Sequence, residues 1–292
     1  MIKQLKSSHY FEYAGLKILE AAVNILPRKA ALVLGAALGN TLYFCGAYKR
    51  IVWKNLNHVA LWDEQQSRAI MKKLYRNMGR YAVDFLRNGP LPPHTVHNFD
   101  IIPEQFKRQK GIIVLLAHFG NWELLASVFG SKLDNLNVIA KPMRNPLVEK
   151  WLYRKRENAS VTTIYTQKAL RKMYEVLKTN GLTAILIDQH FRKMGTPVPF
   201  LGKTANTVRT VAGLVRKTGA SVLPIYAFLN EDNSYDIQIS HAPLPRNEDA
   251  SEEEQIELIQ TQHNEIISRW ITEHPEHWFG WFHRRFKGYL KY

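Results

Sequence analysis

The chain runs to 292 residues, 46% hydrophobic and 22% charged, a length that supports one large core or two small ones. Its single cysteine, Cys45, excludes an intrachain disulfide and fits a reducing compartment. Lys and Arg outnumber Asp and Glu by 40 to 25, and the net charge of +15 calls for an anionic partner, whether nucleic acid, a lipid surface or a phosphorylated substrate.

Residues 1–50 are expected to form a hydrophobic, helical, membrane-associating segment attached to a domain over residues 51–292. Phe11 to Leu26 is mostly apolar, interrupted by Lys17 and Glu20, and Pro27-Arg28-Lys29 follows. Ala30 to Tyr48 has nineteen uncharged residues closed by Lys49-Arg50; a spanning helix needs about 20. Gly35, Gly39, Asn40 and Gly46 lower its hydrophobicity, and basic residues flank both ends. A true span, an interfacial or re-entrant hairpin, and a buried helix pair of a soluble protein all fit that pattern. No convincing small-x-small cleavage site follows, so the segment is expected to stay in the mature protein.

From Asp63 to Arg87, Met71, Leu74, Tyr75, Met78, Tyr81, Ala82 and Phe85 recur at helical spacing. Arg68, Lys72, Lys73, Arg76 and Arg80 occupy the other side, to face solvent or acidic headgroups. Pro90-Leu-Pro-Pro93 marks a loop. Gly111-Ile-Ile-Val-Leu-Leu116 then reads as a strand buried on both faces, and Asn121 as the N-cap of a helix from Trp122 to Phe129. Further strands are predicted at Asn137 to Ala140, Thr162 to Tyr165, Leu182 to Ile187, Val222 to Phe228 and Tyr235 to Ser240. Helices are predicted at Pro146 to Arg156, Lys168 to Lys178, Thr207 to Lys217 and Glu252 to Thr272. Alternation of this kind is α/β architecture, a mixed, largely parallel sheet flanked by helices, with the last two strands as an antiparallel hairpin.

The chemistry concentrates at strand ends, where open α/β sheets bind ligands. His118 ends the central strand and Glu123 starts the following helix. On one continuous helix these two would point about 140° apart, but a tight turn at Gly120-Asn121 lets them meet. A carboxylate beside an imidazole makes a general base with its orienter. The plain alternative is a strand-end His bonded to backbone and a Glu that favours the helix dipole. Asp188 repeats the pattern after the strand Leu182 to Ile187, either as a second orienter of His118 or as a turn cap.

The segment Ala117-His-Phe-Gly-Asn-Trp-Glu123 resembles the His-x4-acid motif of the lysophospholipid acyltransferase superfamily, in the form found in bacterial lipid A late acyltransferases. The resemblance extends to Leu186-Ile-Asp-Gln189, to Val198-Pro-Phe-Leu-Gly-Lys-Thr-Ala205 and to His274-Pro-Glu-His-Trp-Phe-Gly-Trp-Phe-His-Arg-Arg-Phe-Lys287, in family order over most of the chain beyond residue 50. It implies an O-acyltransferase at the cytoplasmic face of a bacterial inner membrane. The enzyme would move a fatty acyl group from a thioester, acyl-carrier protein or acyl-CoA, to a hydroxyl of an anionic lipid such as a lipid A precursor. His118 would be the general base, with Glu123 and Asp188 completing the catalytic set and no metal or other cofactor required.

Arg156 resembles the family's functional arginine, with Arg144 and Arg154 as competitors, since a guanidinium can clamp a phosphate or pair with Glu123. Residues Val198 to Thr207 read as a Pro/Gly loop entering a helix at Asn206 or Thr207, and Gly202 and Thr204 are the substrate-contacting residues the resemblance suggests there. Arg284 is a further substrate contact, in a tail where Trp278, Phe279, Trp281, Phe282, Phe286, Tyr289 and Tyr292 alternate with cations. That tail fits a headgroup boundary, a nucleic-acid stacking surface or docking on the core. Rival functions are an acyltransferase for lysophospholipid or another glycolipid, a metal hydrolase using His118, Glu123, Asp188 and His190, and a nonenzymatic membrane or nucleic-acid binder.

Overall fold

The computed structural model describes residues 5–133, 136–165, 169–191, 195–245, 247 and 249–292. The chain opens with helices Ser7–Ile25 (α1), Arg28–Phe44 (α2), Lys49–Val59 (α3) and Glu64–Leu86 (α4), then strand His94–His97 (β1) and helix Ile101–Phe106 (α5). Strands and helices then alternate: Ile112–Leu116 (β2), Trp122–Lys132 (α6), Leu136–Ala140 (β3), Pro146–Glu157 (α7), Val161–Tyr165 (β4), Ala169–Lys178 (α8) and Leu182–Leu186 (β5). The last third holds Gly195–Phe200 (β6), Lys203–Val208 (β7), Thr210–Thr218 (α9), Ser221–Leu229 (β8), Tyr235–Ile239 (β9) and Glu252–Glu273 (α10), before two short 3-10 turns, Pro275–His277 and Phe279–Phe282.

The main sheet has strand order β1-β9-β8-β2-β5-β3-β4. All neighbours pair in parallel except β8 with β9, which form the expected antiparallel hairpin. Every residue of β2 is buried, because both faces of this central strand are covered. Alternate residues feed two cores: Ile113 and Leu115 pack with α3, α9 and the C-terminal aromatics, whereas Ile112, Val114 and Leu116 pack with α6 and β9. Helix α4 begins with a capping box between Asp63 and Gln66, and α10 with one between Ser251 and Glu254, as these residue types dictate.

The N-terminal pair is held on the domain rather than projecting from it. Val23, Ala31 and Leu32 are buried against Val83 and Leu86 of α4. The glycines that dilute the apolar run allow this: a Cβ on Gly35 would lie 2.5 Å from the Gly79 carbonyl oxygen, and one on Gly39 would lie 2.1 Å from that of Tyr75, so α2 and α4 meet backbone to backbone. The opposite sides of α1 and α2 stay open, with Phe11 79%, Ile25 83%, Val33 69% and Phe44 74% exposed. Among the described residues no single helix is long and apolar enough to cross a membrane; α2 and α3 meet that length and composition only together, bent by 83°.

Elsewhere the structure departs from the sequence reading in one larger element. Val198 to Thr207 is no loop into a helix but most of the antiparallel hairpin β6–β7. Leu201 and Gly202 form its two-residue turn, both with positive φ, the geometry that matches strand twist. Pro197 and Pro199 hid the strand, yet β6 has a partner on one edge only and so tolerates residues without an N–H. Helix α9 consequently starts at Thr210, with Arg209 before it. The predicted start of α8 at Lys168 falls outside the described residues.

Candidate active site

Strands β2 and β5 are adjacent and parallel, with Leu116 opposite Leu186. Two residues further on, His118 and Asp188 therefore emerge side by side from the same sheet edge. The main-chain N–H of His118 donates to Asp188 Oδ2 at 2.9 Å, and His118 Nδ1 lies 2.7 Å from Oδ1. Trp278 Nε1 donates to Oδ2 at 2.8 Å. Burial alone would raise the pKa of Asp188, but the charge and hydrogen bonds of His118 and the Trp278 indole outweigh it and bring it down to about 2. Asp188 is thus a fully buried carboxylate anion, which fixes the proton of a neutral His118 on Nδ1 and leaves Nε2 with its lone pair outward.

The turn after His118 is set by Gly120, whose φ is +57° and whose Cβ, if present, would lie 1.5 Å from the Ala227 carbonyl oxygen. Its N–H donates to the His277 carbonyl at 2.8 Å, and the Phe279 N–H to the His118 carbonyl at 2.8 Å. Asn121 caps α6 by accepting from the Leu124 N–H at 3.1 Å. The predicted turn and N-cap are in place, but they direct Glu123 elsewhere than His118. Arg156, in the last turn of α7, holds Glu123 through two bonds, Nη2 to Oε1 at 2.6 Å and Nε to Oε2 at 3.2 Å. Of the two carboxylates named as orienters, it is Asp188 that bonds the imidazole.

Gln189 Nε2 sits 3.2 Å from His118 Nε2 and 3.4 Å from His283 Nε2, so its amide can donate to either ring. Burial, and then the proximity of His118, lowers the pKa of His283 and keeps that ring neutral. The backbone of Gln189 is in turn held by Arg285, a buried guanidinium that donates to the carbonyls of Gln189 at 3.3 Å and Asn206 at 2.5 Å and to Thr207 Oγ1 at 2.7 Å. It stacks 4.6 Å over Phe200, and burial lowers its pKa to about 10, which leaves it a cation at neutral pH. Sequence reasoning passed over Gln189, Trp278 and Arg285 as individuals, since an Arg or Trp in an aromatic, basic tail reads first as surface. The tail in fact docks on the core, with Trp278, Trp281 and Phe286 fully buried.

His118, Glu123 and Arg156 open onto one cavity of about 1020 Å³, at the top of the ~300–1,000 Å³ range of small-molecule sites. Its inner walls are apolar, including Val114, Leu116, Leu125, Phe129, Val138 and Ala184. Arg144, Gly202, Thr204 and Arg284 lie outside it. Arg144 is exposed, Gly202 and Thr204 belong to the β6–β7 turn region, and Arg284 lies over the Tyr292 ring. Among the described residues no group of three or more His, Cys, Asp or Glu side chains could hold a metal ion.

No curated protein matches the chain. The family model for bacterial lipid A biosynthesis acyltransferases matches residues 2–288, nearly the full length. A buried aspartate bonded to a histidine on the wall of a largely apolar cavity, on a chain matched over residues 2–288, leads to one conclusion: this protein belongs to the bacterial lipid A biosynthesis acyltransferase family.

Proposed function

We propose that the protein transfers a fatty acyl group from a thioester, acyl-carrier protein in preference to CoA, to a hydroxyl of a lipid A precursor. The observation that carries this reading is that His118, with its Nδ1 held by Asp188, lines a cavity whose walls are largely apolar. The acyl chain lies along the cavity, which places its carbonyl near His118. Nε2 takes the acceptor's hydroxyl proton, the oxygen attacks the thioester carbonyl, the carbon–sulfur bond breaks, and the imidazolium returns the proton to the departing thiolate. Asp188 stabilises the imidazolium without accepting its proton, as its low pKa requires. A thioester is already activated, so no acyl-enzyme intermediate is needed. The Glu123–Arg156 pair, on the wall of the same cavity, positions the entrance and presents a part-buried guanidinium toward anionic substrate groups.

The exposed apolar sides of α1 and α2 support association with the cytoplasmic face of the inner membrane, where such an acceptor is inserted. The net charge of +15 suits both an anionic glycolipid and an acidic carrier protein.

The test compares wild type and His118→Ala for transfer of labelled acyl groups. Acyl-carrier-protein and CoA thioesters are each offered with lipid A precursor and with lysophospholipid. Transfer to the lipid A precursor by wild type, lost in a folded His118→Ala variant, is the expected result. Full activity in the variant would remove His118 from the mechanism, and transfer to lysophospholipid alone would give the enzyme a different acceptor.

A further inference from the structure

A second cavity, about 690 Å³, lies between α2, α4, the turn joining β8 and β9, and the first 3-10 turn. It shares no lining residue with the catalytic cavity. Four cations converge on it: Lys29 from α2, and Lys73, Arg76 and Arg80 from α4. The last three are the polar side of the long amphipathic helix, a run that ordinarily just faces water. Here that side is turned into a concavity, because α2 crosses α4 through glycine contacts and the β8–β9 turn closes the far end.

The charges are not internally neutralised. Lys29, Lys73 and Arg76 make no ion pair among the described residues. Among the described residues Arg80 bonds to the amide oxygens of Asn77 and Asn233 and to no carboxylate, and burial together with neighbouring Arg76 lowers its pKa. Two carboxylates, Glu231 and Glu276, share the wall, and the buried Asn40 Oδ1 has no hydrogen-bond partner among the described residues. Such acceptors suit the hydroxyl or amino groups that accompany a phosphate in a lipid headgroup. One wall is Val33, which is 69% exposed, and Phe44, 74% exposed, projects from the same side of α2 eleven residues further on. A basic concavity bordered by an exposed apolar helix face matches a ligand with an anionic head and an apolar tail.

We propose that this cavity binds the anionic, phosphate-bearing headgroup of an amphiphile, at a site separate from the one where acyl transfer takes place. The catalytic cavity then holds the reacting lipid, while the α2–α4 cavity holds a non-reacting anionic headgroup and sets how the protein sits on a bilayer.

The experiment measures co-sedimentation of the full-length protein with phosphatidylcholine vesicles and with vesicles of phosphatidylcholine and phosphatidylglycerol in a four-to-one ratio. It compares wild type, Lys29→Ala/Lys73→Ala/Arg76→Ala and a charge-matched control, Lys110→Ala/Lys178→Ala/Lys217→Ala, whose positions cluster at the opposite, amino ends of the strands. All six side chains are exposed, so both triples should melt close to wild type. At about fivefold per cation, the cavity triple should bind the anionic vesicles about 100-fold more weakly, the control less than threefold, and Arg76→Ala alone about fivefold. Millimolar inorganic phosphate or glycerol phosphate is added as a third arm. Displacement of wild type by phosphate without any preference for anionic vesicles would keep the site and assign it to a soluble phosphate compound. Equal losses in the two triples, or no loss in either, would overturn the proposal.

Discussion

The indole N–H of Trp278 and the main-chain N–H of His118 converge on one oxygen of Asp188, at 2.8 and 2.9 Å, leaving the other oxygen for the imidazole at 2.7 Å. The carboxylate is held at both ends, so the ring it orients has one favoured tautomer. Asp188→Asn should fold but lower kcat by about 10⁴, the magnitude for a base presented in the wrong tautomer, with KM nearly unchanged. Trp278→Phe removes one bond to a charged acceptor and should cost about 10- to 100-fold. Steady-state kinetics on the two variants check both values; equal kcat in wild type and Asp188→Asn would separate the carboxylate from the chemistry.

Arg156 and Glu123 form a two-bond pair with each side chain about five-sixths buried, exposed only to 15% and 16%. Removing one partner strands the other's charge, so Arg156→Met alone should destabilise by about 3 kcal/mol. Glu123→Gln/Arg156→Met, which removes both charges, should recover much of that loss. Denaturant unfolding of the two singles and the double gives the coupling directly, and strict additivity would show the pair to be energetically idle.

Ala126, on α6, lines the catalytic cavity among its apolar walls. Ala126→Phe fills cavity space while leaving His118 and Asp188 themselves unchanged, so it should shift preference toward shorter acyl donors. With each buried methylene worth about 0.8 kcal/mol, donors two methylenes apart should change their ratio of kcat/KM by about tenfold. A competition assay with mixed acyl thioesters reads the ratio; an unchanged profile would place the acyl chain elsewhere.

His277 and His263 are buried and held neutral. Burial, then His274, Arg80 and Lys73, lowers the pKa of His277 to about 3, and burial lowers that of His263 to about 4. In the unfolded chain both titrate near 6.5. The unfolded state therefore takes up more protons below that value, so stability is full above about pH 6.5 and falls progressively as pH drops from there, down to about 4 for His263 and about 3 for His277, below which both states are protonated. The slope reaches about 1.4 kcal/mol per pH unit for each histidine. Urea midpoints measured from pH 4.5 to 8 should follow this course, and His263→Leu should flatten it.

The local grammar of the chain was readable, and its long-range pairing was not. The β-branched run before His118, Gly120-Asn121 and the helix start at Trp122 each announced themselves, because turn, cap and strand preferences act over a few residues. That Asp188 rather than Glu123 would bond the imidazole depends on β5 lying beside β2, a fact of strand order that no local pattern carries. Proline masked β6, and β1, only His94–His97, is too short and polar to show period-two alternation. Arg285 was hidden for another reason: a buried arginine is rare, and only the carbonyls folded around it reveal why this one is inside.

Seventy residues separate the imidazole from its carboxylate, yet two neighbouring strands of the sheet hold them together. The excursion between them, from α6 through α8, supplies many of the walls against which an acyl chain would lie. Reaction and measurement are thereby built from different parts: backbone pairing fixes the first, and side chains on a peripheral detour set the second. On the proposed mechanism, substitutions along that detour would lengthen or shorten the gauge while the His118–Asp188 pair stays in register, so one scaffold would be retuned from one fatty acid to another by changes that never touch its chemistry.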